Sequence, residues 1–493
     1  MINTIKYVCG IVSFLMCCNL ALFASDKKVE TKVITYPAPE TEKVRPSYTV
    51  WVNGQKLDIY KALSPGYEGG EYFFTYFDFE GEVEVKVHSR KAFTKRLSYT
   101  ATKDEIAKAK QQYIGEIYPY DIKPIKKTPY EMVFKANKPF KALILRDDKK
   151  LPLFVFGNPI EKDAPKKDDP NVVYFGPGVH IRDRVELKDN QTLYVAGGAV
   201  LKSTVVARNA KNVSIKGRGI ISAEDFERYH SRNVAFYDCQ NVEVSGVILK
   251  ESMSWTLEFH SCDKVLVDNL KICCGRMIED DAIDICNTAN MIVRNTFCRA
   301  QDDIIAIKGV DRGGNGRVVK PVENILIKDC IFWTDNANIF RIGYECFAPT
   351  FKNIKVKNLK IAGYSSYVNP RGYWSHAIAW IQPSNEITIE DISFENIHIR
   401  SNGTDMPLLI VNPRKVHCSK TFGVARNCKM RNIVVEGKKG KFRGEVFVEG
   451  GDDSHLVSNI SVSNATYFGE KKKADDKDVF VGPYTENIKI FKK

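Results

Sequence analysis

The feature that most constrains this chain is a short motif, Asn-φ-x-φ-x-x-φ with φ apolar, that recurs from residue 212 almost to the end. It reads NVSI from 212, NVEVSGV from 241, KVLVDNL from 264, NMIV from 290, NILIKDC from 324 and NIKVKNL from 353. It continues as EITIEDI from 386, NIVV from 432, NISV from 459 and NIKI from 487. The first apolar positions, Val213 to Ile488, are separated by 29, 23, 26, 34, 29, 33, 46, 27 and 28 residues. Such intervals suit a solenoid whose coils each hold three short strands, with turns of variable length absorbing insertions. No helical pattern long enough for a βαβ crossover lies between the motifs, which argues against a doubly wound sheet or a TIM barrel. A leucine-rich repeat needs a fixed Leu lattice, which is missing. Asn at the head of each strand tolerates left-handed backbone and bonds nearby main chain, so it is expected to form a ladder at a turn. The expected fold is all-β, with a right-handed parallel β-helix over 166–493.

The region before the repeat is different. Tyr48–Gly54 reads as a strand running into a turn, and Phe77, Phe79, Val83, Val85 and Val87 show period-two spacing around Glu80-Gly81. MVF (132–134), ALIL (142–145) and LFVF (153–156) add further strands, and only 103–113 looks helical. A small N-terminal β-sandwich with its linker is expected over 25–165, the polar, proline-bracketed EKDAPKKDDP (161–170) being the linker. Ahead of it, Lys6, the apolar run 7–24 and the small residue Ala24 before SDKK read as a cleaved export signal over 1–24. Lipid attachment at Cys17 or Cys18 is the weaker alternative. A periplasmic or secreted protein without stable membrane insertion follows, and a monomer is expected.

Charge narrows function less than it first suggests. The chain carries 73 Lys+Arg against 60 Asp+Glu, a net +13. The lysines are scattered through the linker, the turns and the tail, and no nucleic-acid recognition module accompanies them, so nucleic-acid binding is excluded. The surplus is a weak pointer to an anionic glycan. Ten cysteines follow the signal, without the paired CxxC spacing of a metal site. Most are expected to fill the repeating core as small apolar groups, with Cys239, Cys262 and Cys286, and Cys274 and Cys298, in step from coil to coil. No cofactor and no metal are expected.

Chemistry is expected where carboxylates of successive coils cluster. Glu279-Asp280-Asp281-Ala-Ile-Asp284-Ile and Gln301-Asp302-Asp303-Ile-Ile-Ala-Ile-Lys308-Gly309 start 22 residues apart, one coil. Side chains alternate along a strand, so adjacent Asp302 and Asp303 can both reach a groove only at a bend before the strand. Three carboxyls so placed suit glycosidic hydrolysis. One, its pKa raised by its neighbours, stays protonated and donates to the leaving oxygen, while the others deprotonate a water. An inverting enzyme needs ~6.5–9.5 Å between acid and base, and coils ~4.8 Å apart with a lateral offset can supply it. Lys308, Arg341, Tyr344, Glu345, Trp255 and His376 are the candidate sugar-binding residues, with Trp374 and Trp380 as further stacking groups. The GGNG stretch (313–316) lacks a following GK[ST] and reads as a long turn.

These segments carry a resemblance. QDDIIAIKG resembles the DDxIAIK element of the polygalacturonase family, and EDDAIDI its N-T-D-G-x-D element. That family shares a clan of β-helix glycoside hydrolases with the dextranase and isopullulanase family. The resemblance implies Asp302 as general acid, Asp281 and Asp303 as the pair that activates water, and Asp284 lining the site. The Gly-His-Gly histidine and Arg-Ile-Lys carboxylate clamp of polygalacturonases have no counterpart after Asp303, and Glu279-Asp280 replace the Asn-Thr pair. NANIFRIGYE (336–345), the N-terminal β-sandwich and YFGPGVHI (174–181) are instead similar to the dextranase-type layout, which implies an α-linked glycan. Two alternatives stay open. One is a polygalacturonase-like hydrolase or a lyase on an acidic glycan, the lyase holding Ca²⁺ among Asp280, Asp281, Asp284, Asp302 and Asp303. The other is a non-catalytic glycan-binding or adhesin solenoid.

Overall fold

The computed structural model describes residues 30–64, 70–91, 93, 102–111, 115–146, 151–310, 319–365, 376–415, 420–473 and 477–491. The export signal expected at 1–24, the 313–316 turn and Trp374 lie outside them.

Among the described residues, two sheets make the N-terminal β-sandwich. One contains Lys32–Thr35, Tyr60–Ser64, Gly70–Glu80, Glu116–Tyr118, Phe140–Leu145 and Leu153–Pro159. The other contains Tyr48–Val52, Gln55–Leu57, Val83–Ser89, Pro124–Lys127 and Glu131–Ala136. Val50, Val52, Phe77, Val85, Val87, Phe134 and Ile144 fill the space between them. The Gly70–Glu80 strand carries six aromatic residues because both its faces are covered. Phe73, Phe77 and Phe79 point into the sandwich, and Tyr72, Phe74 and Tyr76 pack against the solenoid. The expected helix is Lys103–Gln111.

The joint between the two parts is apolar with buried ion pairs set in it. Tyr72, Phe74, Phe154 and Phe156 meet Val200, Ile248, Cys273, Phe297 and Trp333 of the solenoid. Arg299 is fully buried, 4.0 Å from the Tyr72 ring centroid and 4.7 Å from that of Trp333. Its guanidinium donates to both oxygens of Asp335 at 3.0–3.2 Å. Asp335 also accepts from Trp333 Nε1 (2.6 Å) and Ser64 Oγ (2.5 Å). Arg218–Asp78 (2.9 Å) and Arg400–Glu116 (2.5 Å) cross the same joint. Removing one partner of a buried pair strands the other charge, so Arg299→Met is expected to destabilise the fold by ~3–5 kcal/mol. Urea denaturation followed by tryptophan fluorescence measures it.

Among the described residues from Val172 onward, 29 strands join one ladder in which each strand pairs with its counterpart one coil on, almost all in parallel. This is a parallel β-helix. One column of the core runs Val213, Val242, Val265, Met291, Ile325, Ile354, Ile392, Cys428, Ile460 and Ile488 through the register. The residue ahead of each has positive φ, from Asn212 (56°) to Asn487 (51°). Asn side chains there bond from coil to coil, as in Asn241 to Asn212 (2.9 Å) and Asn353 to Asn324 (2.7 Å). The register corrects two repeats. Glu386, the head of the motif at 386, lies in the turn before the strand, the coil position being Asp391-Ile392 at the motif's end, and the motif at 432 sits on a second ladder, Asn396–Asn432–Asn464. With Asp391 and Asn427, 36 residues apart, in place, the 46-residue gap disappears. Two corners of the coil use the same Asn-apolar signature, and spacing alone cannot separate them.

The nine described cysteines are buried. Cys262 follows Cys239 in the same column, but the next coil puts Thr288 there, its Oγ1 accepting the Cys262 N–H at 3.1 Å. Cys286 lies instead in the row of His260 and Lys308, and Cys298 aligns with Ile272, so Cys274 is not in its column. Both spacings missed the register by two residues.

Near the far end, His455 is held by two carboxylates, Nδ1 by Asp452 (2.6 Å) and Nε2 by Glu386 (2.8 Å). Both ring nitrogens must carry protons to donate, and the Glu386 bond above all raises the imidazole pKa. A raised His pKa gives stability that is complete below ~6.5 and is lost as pH rises through the folded value. The Tm gap between wild type and His455→Gln is therefore expected to be wider at pH 6 than at pH 9.5.

Candidate active site

Both acidic segments lie at the bend that precedes a strand of the same sheet. Asp281 comes before Ile283–Cys286, and Asp302 and Asp303 before Ile305–Gly309. Pairing of Ile283 with Ile305 stacks Asp281 on Asp303 and Asp280 on Asp302. The Asp303 N–H donates to Asp281 Oδ1 (3.2 Å) and to Asp302 Oδ1 (2.9 Å). The nearest carboxylate oxygens of Asp281, Asp302 and Asp303 all lie within 4.8 Å of one another. That is shorter than the ~6.5–9.5 Å expected of an inverting pair. Three carboxylates so close can hold a cation, but here Lys308 and Arg341 already bring positive charge to them.

Each aspartate has its own surroundings. Asp303 is buried, which opposes its charge, but Arg341 Nε at 2.9 Å and the Asn338 N–H and Nδ2 (2.9 and 2.6 Å) outweigh this. Its carboxyl is held below the usual range and stays ionised. Asp302 is half-buried, and desolvation joined by the charges of Asp281 and Asp303 pushes its carboxyl well above that range. Asp281 is buried and accepts from Lys308 Nζ at 2.8 Å. One residue is held charged and its neighbour is pushed towards the neutral acid, which is the separation that acid/base chemistry needs.

Lys308 and Asp284 take a different position from the one expected. Lys308 Nζ also donates to Asp284 Oδ1 at 2.9 Å and lies 3.9 Å from the Trp255 ring centroid. Asp284 is fully buried, and Lys308, about as buried as Asp281 and Asp303, has its ammonium taken up by Asp281 and Asp284. Together they hold the Asp281 carboxylate in place. Burial opposes the Lys308 charge, but Asp281, Asp284 and Glu345 together raise its pKa well above the usual lysine value.

The other candidates gather around this centre. Arg341 lies 5.4 Å from the Tyr344 ring and 5.3 Å from that of Trp380, and bonds Gln382 Oε1 at 3.2 Å. Tyr344 has positive φ (73°) where the coil bulges between Ile307 and Gly309 of the facing strand. The bulge depends on Gly343, since a Cβ there would meet Gln382 O at 2.4 Å. It brings Glu345 within electrostatic range of Lys308. His376 feels both Asp303 and Arg341, and burial pushes its imidazole down to about 4, so it is neutral near pH 7. Trp380 is only 4% exposed and donates to Asn412 Oδ1 (2.8 Å), which removes it as an open stacking surface. Asn338 and Gln382 were not singled out from sequence. Asn338 lies three residues before Arg341 in NANIFR, but no pattern separates it from the ladder asparagines. Arg232, 4.4 Å from the Trp255 ring and bonded to Glu258 at 3.1 Å, lies one coil back from Trp255.

Residues 216–446, which contain every one of these groups from Arg232 to Asn412, match the family model for Glycosyl hydrolases family 28. Among curated proteins the chain is similar to Polygalacturonase-2 of Solanum lycopersicum, 22% identical over 230 residues, 42% of this chain and 48% of that one. The chain thus spans about half the length of the curated relative it matches. Among solved structures it is similar to Dex49A from Penicillium minioluteum, with a TM-score of 0.64 and 14% identity over 92% of this chain and 96% of that one. It also resembles an exopolygalacturonase from Thermotoga maritima, with a TM-score of 0.47 and 18% identity over 65% and 83% of the two chains. The likeness to Dex49A is one of fold and takes in most of both chains.

Proposed function

We propose, from its place in the β-helix glycoside hydrolase clan and its family 28 region at residues 216–446, that this chain is an exported glycosidase cleaving a polysaccharide by three-Asp acid/base catalysis. The observation that carries this reading is the geometry of the three-carboxyl cluster: Asp303 is paired with Arg341 at 2.9 Å and Asp281 with Lys308 at 2.8 Å, and Asp302 lies within 4.8 Å of both, an arrangement that holds Asp303 down and pushes Asp302 up. Asp302, half open to the groove, gives its proton to the leaving oxygen. Asp281 and Asp303, each held by a cation and stacked one coil apart, receive the attacking water and take its proton. Arg341, Tyr344, His376 and Trp255 line the floor against which the sugars lie, and Lys308 and Asp284 keep Asp281 in place. The reaction adds water across the glycosidic bond and needs no redox partner.

An α-linked neutral glycan is the substrate favoured by the dextranase-type layout, and a galacturonan-like chain is the alternative. Reducing-sugar release from dextran, pullulan, galacturonan and sulfated galactans tests both, and inertness towards all of them would remove the hydrolase reading. Inversion is the proposed stereochemical course, with the water held to one side of the cluster between Asp281 and Asp303. Carboxylate oxygens that all lie within 4.8 Å of one another favour a second reading, since retaining enzymes place their carboxyls ~5–5.5 Å apart and use one as nucleophile. Proton NMR of the first-formed anomer decides, and a retained product would overturn the three-Asp assignment. Export rests on the signal read at residues 1–24, and amino-terminal sequencing of the mature protein checks it.

A further inference from the structure

One carboxylate of the acidic run has no part in the chemistry above. Asp280 is fully buried, and its two oxygens accept three main-chain N–H groups from two different coils. Oδ2 takes the Gly275 N–H at 2.6 Å. Oδ1 takes the Gln301 N–H at 2.6 Å and the Asp302 N–H at 3.3 Å. On its other side the Asp302 carbonyl accepts from Thr334 Oγ1 at 2.9 Å. The peptide that carries the proton donor is therefore gripped at both its amide and its carbonyl.

Both grips lead to the same element outside the solenoid, the hairpin of Tyr60–Ser64 and Gly70–Glu80 in the N-terminal β-sandwich. Tyr72 Oη donates to the carbonyl of Cys274, beside Gly275, at 2.7 Å. The hairpin presses so closely on Gly275 that a Cβ there would lie 3.1 Å from Leu63 O and 3.2 Å from Ser64 Cβ. Ser64 Oγ bonds Asp335, the neighbour of Thr334, at 2.5 Å, and the Leu63 N–H bonds Glu251 at 2.5 Å.

We infer that Asp280 is a positioning residue that fixes the Gln301–Asp302 turn and references it to the N-terminal hairpin, which makes the β-sandwich part of the catalytic framework. The inference rests on the reading of Asp302 as proton donor. Its physical basis is the steep dependence of proton transfer on placement, where an error of ~1 Å from a remote change can cost ~10²-fold. A residue that merely satisfied buried N–H groups would change stability alone.

Two variants separate these roles, assayed on whichever of the four polymers the wild type cleaves fastest. Asp280→Asn keeps the size of the side chain but sets an NH₂ group against an N–H on one side. It is expected to lower kcat ~10–100-fold with KM nearly unchanged, and to speed amide hydrogen exchange at residues 301–302. Tyr72→Phe removes only the hairpin's bond to Cys274. It is expected to lower kcat a few-fold and to speed exchange at the same two amides. An Asp280→Asn protein that melts earlier but keeps wild-type kcat per folded molecule overturns the positioning role. Wild-type exchange at 301–302 in Tyr72→Phe overturns the link to the hairpin. A wild type inert on all four polymers would overturn the hydrolase reading itself, a result distinct from an active wild type with a fully active Asp280→Asn.

Discussion

Asp302→Asn is expected to lower turnover by ~10²–10⁴-fold, the usual contribution of a positioned general acid, with KM altered little. The amide has nearly the same shape and still accepts the Asp303 N–H that Asp302 Oδ1 receives at 2.9 Å. What disappears is the proton. Because it is needed only as the glycosidic bond breaks, its loss falls on kcat and kcat/KM alike rather than on ground-state binding. An aryl glycoside of the same sugar, whose leaving group departs without protonation, should lose far less in the same variant. Equal losses on both substrates would mean that Asp302 does something other than donate.

The pH profile follows from the same two carboxyls. Asp302 must be protonated and Asp303 ionised. Burial and the two adjacent aspartates raise the first. For the second, burial is outweighed by Arg341 and Asn338, which hold it low. Activity therefore falls on the alkaline side as pH rises through the Asp302 value, and on the acid side as pH drops through that of Asp303. The limbs are macroscopic, since these groups titrate together. In Asp302→Asn the alkaline limb should disappear and the acid limb remain, which initial rates across pH on the aryl glycoside can show.

What could be read from the sequence depended on which physical rule set each feature. The β-helix was legible because a period of one coil forces the same corner chemistry to return, and Asn at positive φ is among the least replaceable pieces of that chemistry. The register was less legible, because Asn396 and Asn432 obey the same rule at another corner. The three aspartates were legible since Asp302-Asp303 cannot both face a groove within a regular strand and so announce a bend. Their support was not. Whether Lys308 meets a sugar or a buried carboxylate depends on the Trp255 ring and on Asp284 one coil away, contacts that come from stacking rather than from local sequence. The grip of Asp280 on Asp302 is of the same kind, since an aspartate that accepts main-chain N–H groups looks in sequence like one that faces solvent.

Lys308→Met is the second variant with a large expected effect, and it acts on both stability and rate. The lysine ammonium bridges Asp281 (2.8 Å) and Asp284 (2.9 Å) where all three side chains are almost entirely buried. Methionine retains the packing against Trp255 but leaves two carboxyls facing each other without a cation. Breaking such a group from one side costs ~3–5 kcal/mol. With the ammonium gone, at least one carboxyl takes up a proton, and the water-activating pair loses its anchored member, so kcat is expected to fall by ~10² or more. The acid limb of the profile should move to higher pH. Adding Asp284→Asn in the same chain removes the surplus charge that Lys308→Met exposes. That double variant should recover much of the lost stability and little of the lost rate, because Asp281 is then tolerated but no longer held for catalysis. A double-mutant cycle in urea, run beside initial rates, measures the two effects separately. Recovery of rate in step with stability would show that Lys308 serves the fold alone.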